Sequence, residues 1–590
     1  MLDLAGGQGD RQRMVERRTV FAGAGPPPAV KLGLLALYLA CDHAAILQRV
    51  GSLGPSAELA AYLVLYSGLA LALVAAAFIA STMVRIGFAV LLAAGSVALH
   101  SYEWATGAPL VYEAFETMFA SRGDAGDALS QHGGVLLRAV GAALILFVGI
   151  ALPPRRSALP WGLAWLMPTG AVIALACLLY VRGGEGARAL PAPFSPLAQG
   201  AILATLAVTE EDRPRQPVGI VPGPRGAAGD VVLVIDESVA ANYLDINHRR
   251  GVHSGLAAER PGLEIANFGV AASAANCSAG SNLTLRFGGT RETYRRAYGE
   301  MPSLWAYAHR AGMRTVYLDG QRRAGALHNR MTADERAEID HFVQLDQTPV
   351  PERDHQLARL LTERLGNGIR ELIVVNKVGA HFPVADKFPD SAALFRPLPP
   401  RGRSEGIIDI ASLPGGEAGT PEEWRRYRNA YRNTLAWSTG GFFDRFLPHV
   451  AGSGAMIVYT SDHGQDLHER GGPGDSTHCV PDPRPEEGAV PLVVIADSPA
   501  GADWHRVAAA NFDRMSHFRV FPTLLQAMGY APERTASFYG PTLLAPAREP
   551  LSFTSTYTAS LGRAPSWRRI VRAELAAPPA TDYAQVANVR

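Results

Sequence analysis

Charge of either sign is thin in this chain, and what there is nearly cancels. Lys and Arg number 55 against 54 Asp and Glu, a net charge of +1 over 590 residues. That balance excludes nucleic acid as the main partner, because a phosphate-backbone binder carries a clear basic excess. Cysteine is scarce as well. Of four cysteines, Cys41 and Cys177 lie in apolar runs, which leaves Cys277 and Cys479 as the pair outside them. No internal repeat is visible, which excludes a repeat array. No cleavage site follows the first apolar run and further runs come after it, so it is not a removable signal peptide. The shortage of charge is also uneven. Roughly the first 180 residues hold long runs almost without charge, and the rest has the composition of an ordinary soluble protein.

Five apolar runs occupy residues 30–47, 57–80, 86–100, 135–152 and 161–181. Each approaches the roughly 20 residues that cross a bilayer as a helix, the third being short. Buried helices of a soluble protein are the alternative, disfavoured by so many long uncharged runs. Arg11, Arg13, Arg17 and Arg18 precede the first run, Arg85 separates the second from the third, and Arg155 and Arg156 separate the fourth from the fifth. Basic loops mark the cytoplasmic face, so five spans place everything after residue 181 outside the cytoplasm. The expected organisation is a cytoplasmic tail (1–28), a five-helix membrane domain (29–182) and a linker (183–229) rich in Pro, Gly and Arg. The linker should carry an amphipathic helix over 196–209 lying on the membrane surface. A soluble domain (230–550) and a C-terminal extension (551–590) without a readable motif follow.

The soluble domain opens with a short apolar run at 230–235, and similar runs recur at 314–318, 371–375, 455–459 and 490–495. Helical patterns lie between them, as at 302–311 and 355–365. Strands alternating with helices predict an α/β fold with a mostly parallel sheet. Such sheets build their sites at the carboxyl ends of the strands. Polar clusters stand at those ends. Asp236-Glu237-Ser238 follows the first run, Asn376-Lys377 with His381 follows the third, and Asp462-His463-Gly464 follows the fourth. Thr477-His478-Cys479 comes shortly before the fifth. Singly, an Asp or His at a strand end is commonly a cap or a hydrogen-bond partner. Gathered at one edge they predict a shared metal site, and a carboxylate beside an imidazole suits zinc.

At these residues the chain resembles the inner-membrane phosphoethanolamine transferases of the alkaline phosphatase superfamily, the group that modifies lipid A. The resemblance covers most of the chain. It implies an α-helical membrane domain of five transmembrane helices in a bacterial inner membrane, and a sulfatase-like α/β domain in the periplasm. Glu237 takes the place of the family's first metal carboxylate, Asp462 and His463 match its Asp-His-Gly pair, His478 its later histidine, and His381 the histidine of Gly-Ser-His-Gly-Pro. Ser516-His517 with the following Phe521–Leu525 resembles another family segment and makes His517 a substrate-binding candidate. The family nucleophile, a threonine, falls in the window 272–282, where Ser278 aligns best and Cys277 is the alternative. Ser278 also suits a helix N-terminus. The Cys/Ser-x-Pro-x-Arg signature of formylglycine sulfatases is absent at Cys277-Ser-Ala-Gly-Ser281, which weighs against sulfate-ester hydrolysis.

The implied chemistry has one zinc, with room for a second, bound by Glu237, Ser278, Asp462 and His463 and acidifying the nucleophile's hydroxyl. Ser278 attacks the phosphodiester of phosphatidylethanolamine, diacylglycerol leaves, and an envelope glycolipid or glycan accepts the head group from the covalent intermediate. His381 and His478 steady the phosphoryl oxygens, protonate the leaving group or hold a second zinc. Lys377 either reaches a phosphate or is a solvated surface lysine. The protein is expected to act as a monomer.

Several residues depart from the family pattern. Cys277 and Cys479 neighbour Ser278 and His478, and either pair with each other in an oxidising compartment or leave Cys277 to take part in catalysis. Glu113-Ala-Phe-Glu116-Thr117 resembles the segment that contacts the head group. Thr117 is kept, but Glu113 replaces an asparagine and Ser121 a glutamate; Gln465 also replaces a glutamate. Two further readings therefore stand beside the first. One is transfer of another head group such as phosphoglycerol, or hydrolysis of a phosphodiester. The other is a non-catalytic lipid-binding domain, against which the full set of ligands argues.

Overall fold

The computed structural model describes residues 26–106, 109–120, 125–155, 161–209, 214–223, 229–401, 420–471, 477–480, 482–497, 503–555, 561 and 564–579. Arg11, Arg13, Arg17, Arg18, Ser121 and Arg156 lie outside these residues, as does the side chain of Thr117. The chain forms two compact units. One is Met1–Glu211 with Pro414–Gly416 and Ser560–Arg563, and the other is Asp212–Leu413, Glu417–Ala559 and Ala564–Arg590.

The first unit is helical. Among the described residues three helices are long and apolar enough to cross a membrane: Ala57–Ala77, Thr82–Ala105 and Gly133–Ala151. The first expected span is a pair of helices, Pro28–Ala40 and His43–Leu53, bent by 62°, and counts as a fourth only if the pair is one span. The fifth contributes a shorter apolar helix, Trp165–Val181. The expectation of five spans is therefore met for three or four. The bend has a cause. Asp42 stands at the break, and its carboxylate accepts a hydrogen bond from His100 Nε2 at 3.0 Å on the neighbouring helix, so an acid inside an apolar run finds a partner. At the other end of the unit Lys31 Nζ donates to Ile150 O at 3.1 Å. Arg85 donates to Ile79 O at 2.8 Å and to Ala151 O at 3.2 Å. These cations satisfy carbonyls at helix C-termini, where positive charge is favoured. Val64, Met83, Leu137 and Ile173 point outward from the unit, a placement that suits lipid. The linker helix, Phe194–Thr209, differs from the expected surface helix. Its first turns are buried at Phe194, Ala198 and Gln199, and Gln199 Nε2 donates to Leu110 O at 2.8 Å.

The second unit is built on a seven-stranded sheet. Its strands are β1 (Val231–Asp236), β2 (Leu263–Ala272), β3 (Arg314–Asp319), β4 (His341–Gln344), β5 (Glu371–Asn376), β6 (Met456–Ser461) and β7 (Ala489–Asp497). The order is β2-β7-β6-β1-β5-β3-β4. Pairs β6-β1, β1-β5, β5-β3 and β3-β4 are parallel, and β7 runs antiparallel to both β6 and β2. Successive residues of a strand face opposite sides. Accordingly Val232, Val234, Ile373 and Val375 join one core cluster, while Val231, Leu233, Leu372 and Val374 join the other. Burial on both faces explains why these strands read as continuous apolar runs.

Two strands have no such run in the sequence. The second, β2, carries Asn267 and a register shift between Asn267 and Val270, and β4 is a short edge strand. Because β2 runs parallel to β6, the carboxyl ends of β1, β2, β3, β5 and β6 share one edge of the sheet. Most of the described part of the C-terminal extension packs in this unit as well. β8 (Ser552–Thr554) and β9 (Trp567–Arg569) form a hairpin. Thr554 bridges Ala275 in parallel, donating its N–H to Ala274 O at 3.1 Å and accepting from Asn276 N–H at 3.3 Å.

Candidate active site

The turn after β1 brings Glu237 to the edge. Ser238 has a φ of +60°, and Tyr431 clamps that turn by donating its hydroxyl to Ser238 O at 2.7 Å and accepting Ala240 N–H at 2.8 Å. Gly379 approaches so closely that a Cβ there would lie 2.6 Å from Glu237 backbone atoms. Its φ of +53° also favours glycine. From the end of β6, Asp462 Oδ1 accepts the N–H of Ser238 at 3.0 Å and of His463 at 2.7 Å. His463 Nδ1 donates to Gly464 O at 2.8 Å, which turns Nε2 toward the carboxylates, 3.4 Å from Glu237 Oε1 and 3.6 Å from Asp462 Oδ2. Backbone-anchored imidazoles of this kind are the usual way a protein fixes a metal-binding nitrogen.

Ser278 is the first residue of the helix Ser278–Phe287, with Cys277 as its N-cap. Its Oγ donates to Glu237 Oε1 at 3.1 Å and lies 3.2 Å from His463 Nε2. A hydroxyl at a helix N-terminus sits among unpaired N–H groups that favour negative charge. His478 stacks on His463 with ring centroids 4.2 Å apart, and its Nδ1 is 3.0 Å from Thr477 Oγ1. His381 is buried and donates Nδ1–H to Phe382 O at 3.0 Å.

Electrostatics bind the cluster together. Burial opposes the charge of Glu237, but His463 and His381 outweigh it and hold its carboxyl well below the usual range. Burial, and then the charge of Glu237, pushes Asp462 up to about 7. Burial works against an imidazolium at His463, yet the Asp462 and Glu237 carboxylates hold it at about 9. Asp462 Oδ2 is buried without a hydrogen-bond partner, with the His463 ring 3.6 Å away, and a buried acceptor left unbonded costs about 1–3 kcal/mol. Glu237, Asp462 and His463 offer ligand atoms within 4.8 Å of one another, the one such cluster among the described residues. With Ser278 Oγ beside them they fit a divalent cation.

Three expected site residues, Lys377, His517 and Cys277, are placed differently. Lys377 is neither solvated nor turned toward a ligand. It is fully buried and pairs with Asp236 Oδ2 at 2.6 Å, with Asp354 3.8 Å away. His517 is likewise fully buried. Its Nδ1 accepts Ala274 N–H at 3.2 Å and its Nε2 lies 3.0 Å from Thr460 Oγ1. Burial drives its pKa down to about 3, so it is a neutral strut between β6 and the segment leading to Ser278. Cys277 is bonded to Cys479 in a disulfide, which removes it as an alternative nucleophile. Glu113 lies on the helix Tyr112–Ala120 of the helical unit.

Sequence reasoning missed Gln321, just past β3. Its Nε2 donates to Glu237 Oε2 at 3.0 Å and to Lys377 O at 2.8 Å. The only available signal was a polar residue beyond another strand end.

An α/β sheet with two carboxylates, an imidazole and a hydroxyl at a helix N-terminus gathered at its carboxyl edge is an arrangement suited to work on phosphate or sulfate esters. The family model named Sulfatase matches residues 230–530, just over half of the chain, and the chain belongs to that family. Among solved structures, it is similar to the integral membrane lipooligosaccharide phosphoethanolamine transferase A (EptA) of Neisseria meningitidis. Identity is 16%, the TM-score is 0.61, and the match covers 88% of this chain and 99% of that one. The periplasmic domain of EptC from Escherichia coli, in complex with Zn, matches at 17% identity and a TM-score of 0.43, over 58% of this chain and 93% of that one. No curated protein matches the sequence.

Proposed function

We propose that the chain transfers phosphoethanolamine from phosphatidylethanolamine to an envelope glycolipid or glycan, from the periplasmic face of a bacterial inner membrane. The observation that carries this reading is Ser278 Oγ at a helix N-terminus, in hydrogen-bond reach of both Glu237 and His463. A zinc ion held by Glu237, Asp462, His463 and Ser278 would acidify the serine hydroxyl and offset charge on the phosphoryl oxygens.

The chain's own residues account for the rest. Ser278 Oγ attacks the phosphorus, and the bond to diacylglycerol breaks. The head group is then held as a phosphoserine ester until an acceptor hydroxyl or phosphate displaces it. His478 and His381 flank the cluster and are suited to giving a proton to the leaving oxygen and taking one from the acceptor. The helical unit anchors the protein in the phase that holds the lipid donor. Glu113, in place of the family's asparagine, is the reason to keep phosphoglycerol as the second donor head group.

The test uses the purified full-length protein with head-group-labelled phosphatidylethanolamine, following diacylglycerol release and covalent label by intact mass. Wild type should label and Ser278→Ala should not. Release from phosphatidylglycerol alone would move the donor, and no release from either lipid in zinc-loaded protein would overturn the reading.

A further inference from the structure

The disulfide is placed at two residues adjoining the chemistry. Cys277 precedes Ser278 and caps its helix, while Cys479 follows His478, and 202 residues separate the two cysteines. Beyond this covalent bond, hydrogen bonds also join the two segments. Cys479 N–H donates to Asn276 O at 3.0 Å, and Asn276 Nδ2 to Val480 O at 3.0 Å. Thr477, at the start of the segment, accepts Asp466 N–H at 2.8 Å, so the disulfide secures the far side of His478. The ligand atoms of Glu237, Asp462 and His463 are fixed separately, by the ends of β1 and β6 and by backbone N–H groups. Cys479 is exposed and Cys277 half-buried, within reach of an external thiolate. The remaining cysteines, Cys41 and Cys177, belong to the helical unit.

We infer that the Cys277–Cys479 disulfide positions His478 for transfer, so that the oxidised chain is the competent form and reduction switches transfer off while leaving the metal-binding residues in place, Ser278 among them through its hydrogen bonds to Glu237 and His463. This rests on the transfer reading above. The switching step balances. A thiolate of an external dithiol attacks the exposed sulfur of Cys479, forms a mixed disulfide and expels the Cys277 thiolate. The dithiol's second thiolate then closes on its partner and releases Cys479. Two electrons and two protons pass to the cystine, and the dithiol becomes a cyclic disulfide. Because no other cysteine of the second unit competes, the freed thiols re-form the same bond on oxidation.

The experiment reduces folded, zinc-loaded full-length protein with dithiothreitol, removes the reagent, and counts thiols to confirm that two have appeared. Transfer from labelled phosphatidylethanolamine, hydrolysis of a chromogenic phosphodiester, zinc affinity and amide hydrogen exchange are then measured. Reduction should lower both activities at least tenfold and raise exchange in the peptide containing His478. Zinc affinity should stay within about twofold, exchange in β1 and β6 should not change, and diamide should restore activity. Cys277→Ser with Cys479→Ser should match the reduced protein and ignore redox treatment. Should that variant fail to fold, reduction of the wild type decides alone. Unchanged rates after two thiols have appeared would overturn the inference, and so would a parallel fall in zinc affinity, which would make the bond merely structural. Protein inert on phosphatidylethanolamine whose diester hydrolysis still falls on reduction would sink the donor assignment and leave the switch standing.

Discussion

Replacing Asp462 by Asn should make the metal-free protein more stable and the metal-loaded protein less so. Burial and the neighbouring charge of Glu237 raise the carboxyl of Asp462 from 3.8 to about 7. The ionised form is therefore penalised by folding. The penalty is absent below pH 3.8, grows as pH rises toward 7, and is constant above that, at about 4 kcal/mol. Asparagine stands in for the protonated acid. Its carbonyl oxygen can still accept the N–H groups of Ser238 and His463, now bonded at 3.0 and 2.7 Å. Its amide nitrogen replaces Oδ2, which has no partner, and can donate toward Glu237. Allowing for imperfect geometry, EDTA-stripped variant should gain about 2–4 kcal/mol at pH 8, read as a higher melting temperature in detergent. Zinc at about 100,000 times its wild-type dissociation constant should stabilise wild type by about 7 kcal/mol, about 1.4 for each factor of ten, and the variant, short of one ligand, far less. The two thermal curves should cross in order when zinc is added. A stripped variant less stable than stripped wild type, together with a zinc shift of wild-type size, would refute both the buried-charge argument and the ligand assignment.

Gln321→Ala should release Glu237 Oε2 and weaken zinc binding about 10–100-fold, measured by competition with a chromophoric chelator. Lys377→Met should cost about 3–5 kcal/mol in urea titrations by leaving Asp236 buried without its cation, and adding Asp236→Asn should recover much of that. Because His517 is held near 3 against 6.5 in the unfolded chain, the folded state binds fewer protons between those values. Stability is thus full above pH 6.5 and falls by about 1.4 kcal/mol for each pH unit below it. In His517→Gln that slope should flatten, and an unchanged slope would place the titration elsewhere.

Legibility in the sequence followed the physics of each element. The central strands were readable because both faces of β1, β5 and β6 are buried and leave continuous apolar runs. The interruption at Asn267 hid β2, since a bulged strand breaks the pattern. Glu237, Asp462 and His463 could be read as ligand types beyond strand ends, because topology aligns those ends whatever the loops do. Lys377 could not be placed, because its partner Asp236 lies 141 residues away in sequence and a buried ion pair leaves no local trace. The bend at Asp42 was hidden for the same reason, His100 being 58 residues away. His517 matched a segment of the resembled family, but its ring is turned inward to Ala274 and Thr460, a direction no motif specifies.

The pairing of Thr554 with the stretch before Ser278 bears on the order in which the enzyme becomes complete. A nascent chain that has emerged only as far as residue 550 already contains every proposed ligand and the serine, but Ala274 O and Asn276 N–H still lack their partner strand. The loop that aims the nucleophile is closed by residues that leave the ribosome after every proposed ligand. Synthesis itself thus delays full assembly of the site until the rest of the domain has been made.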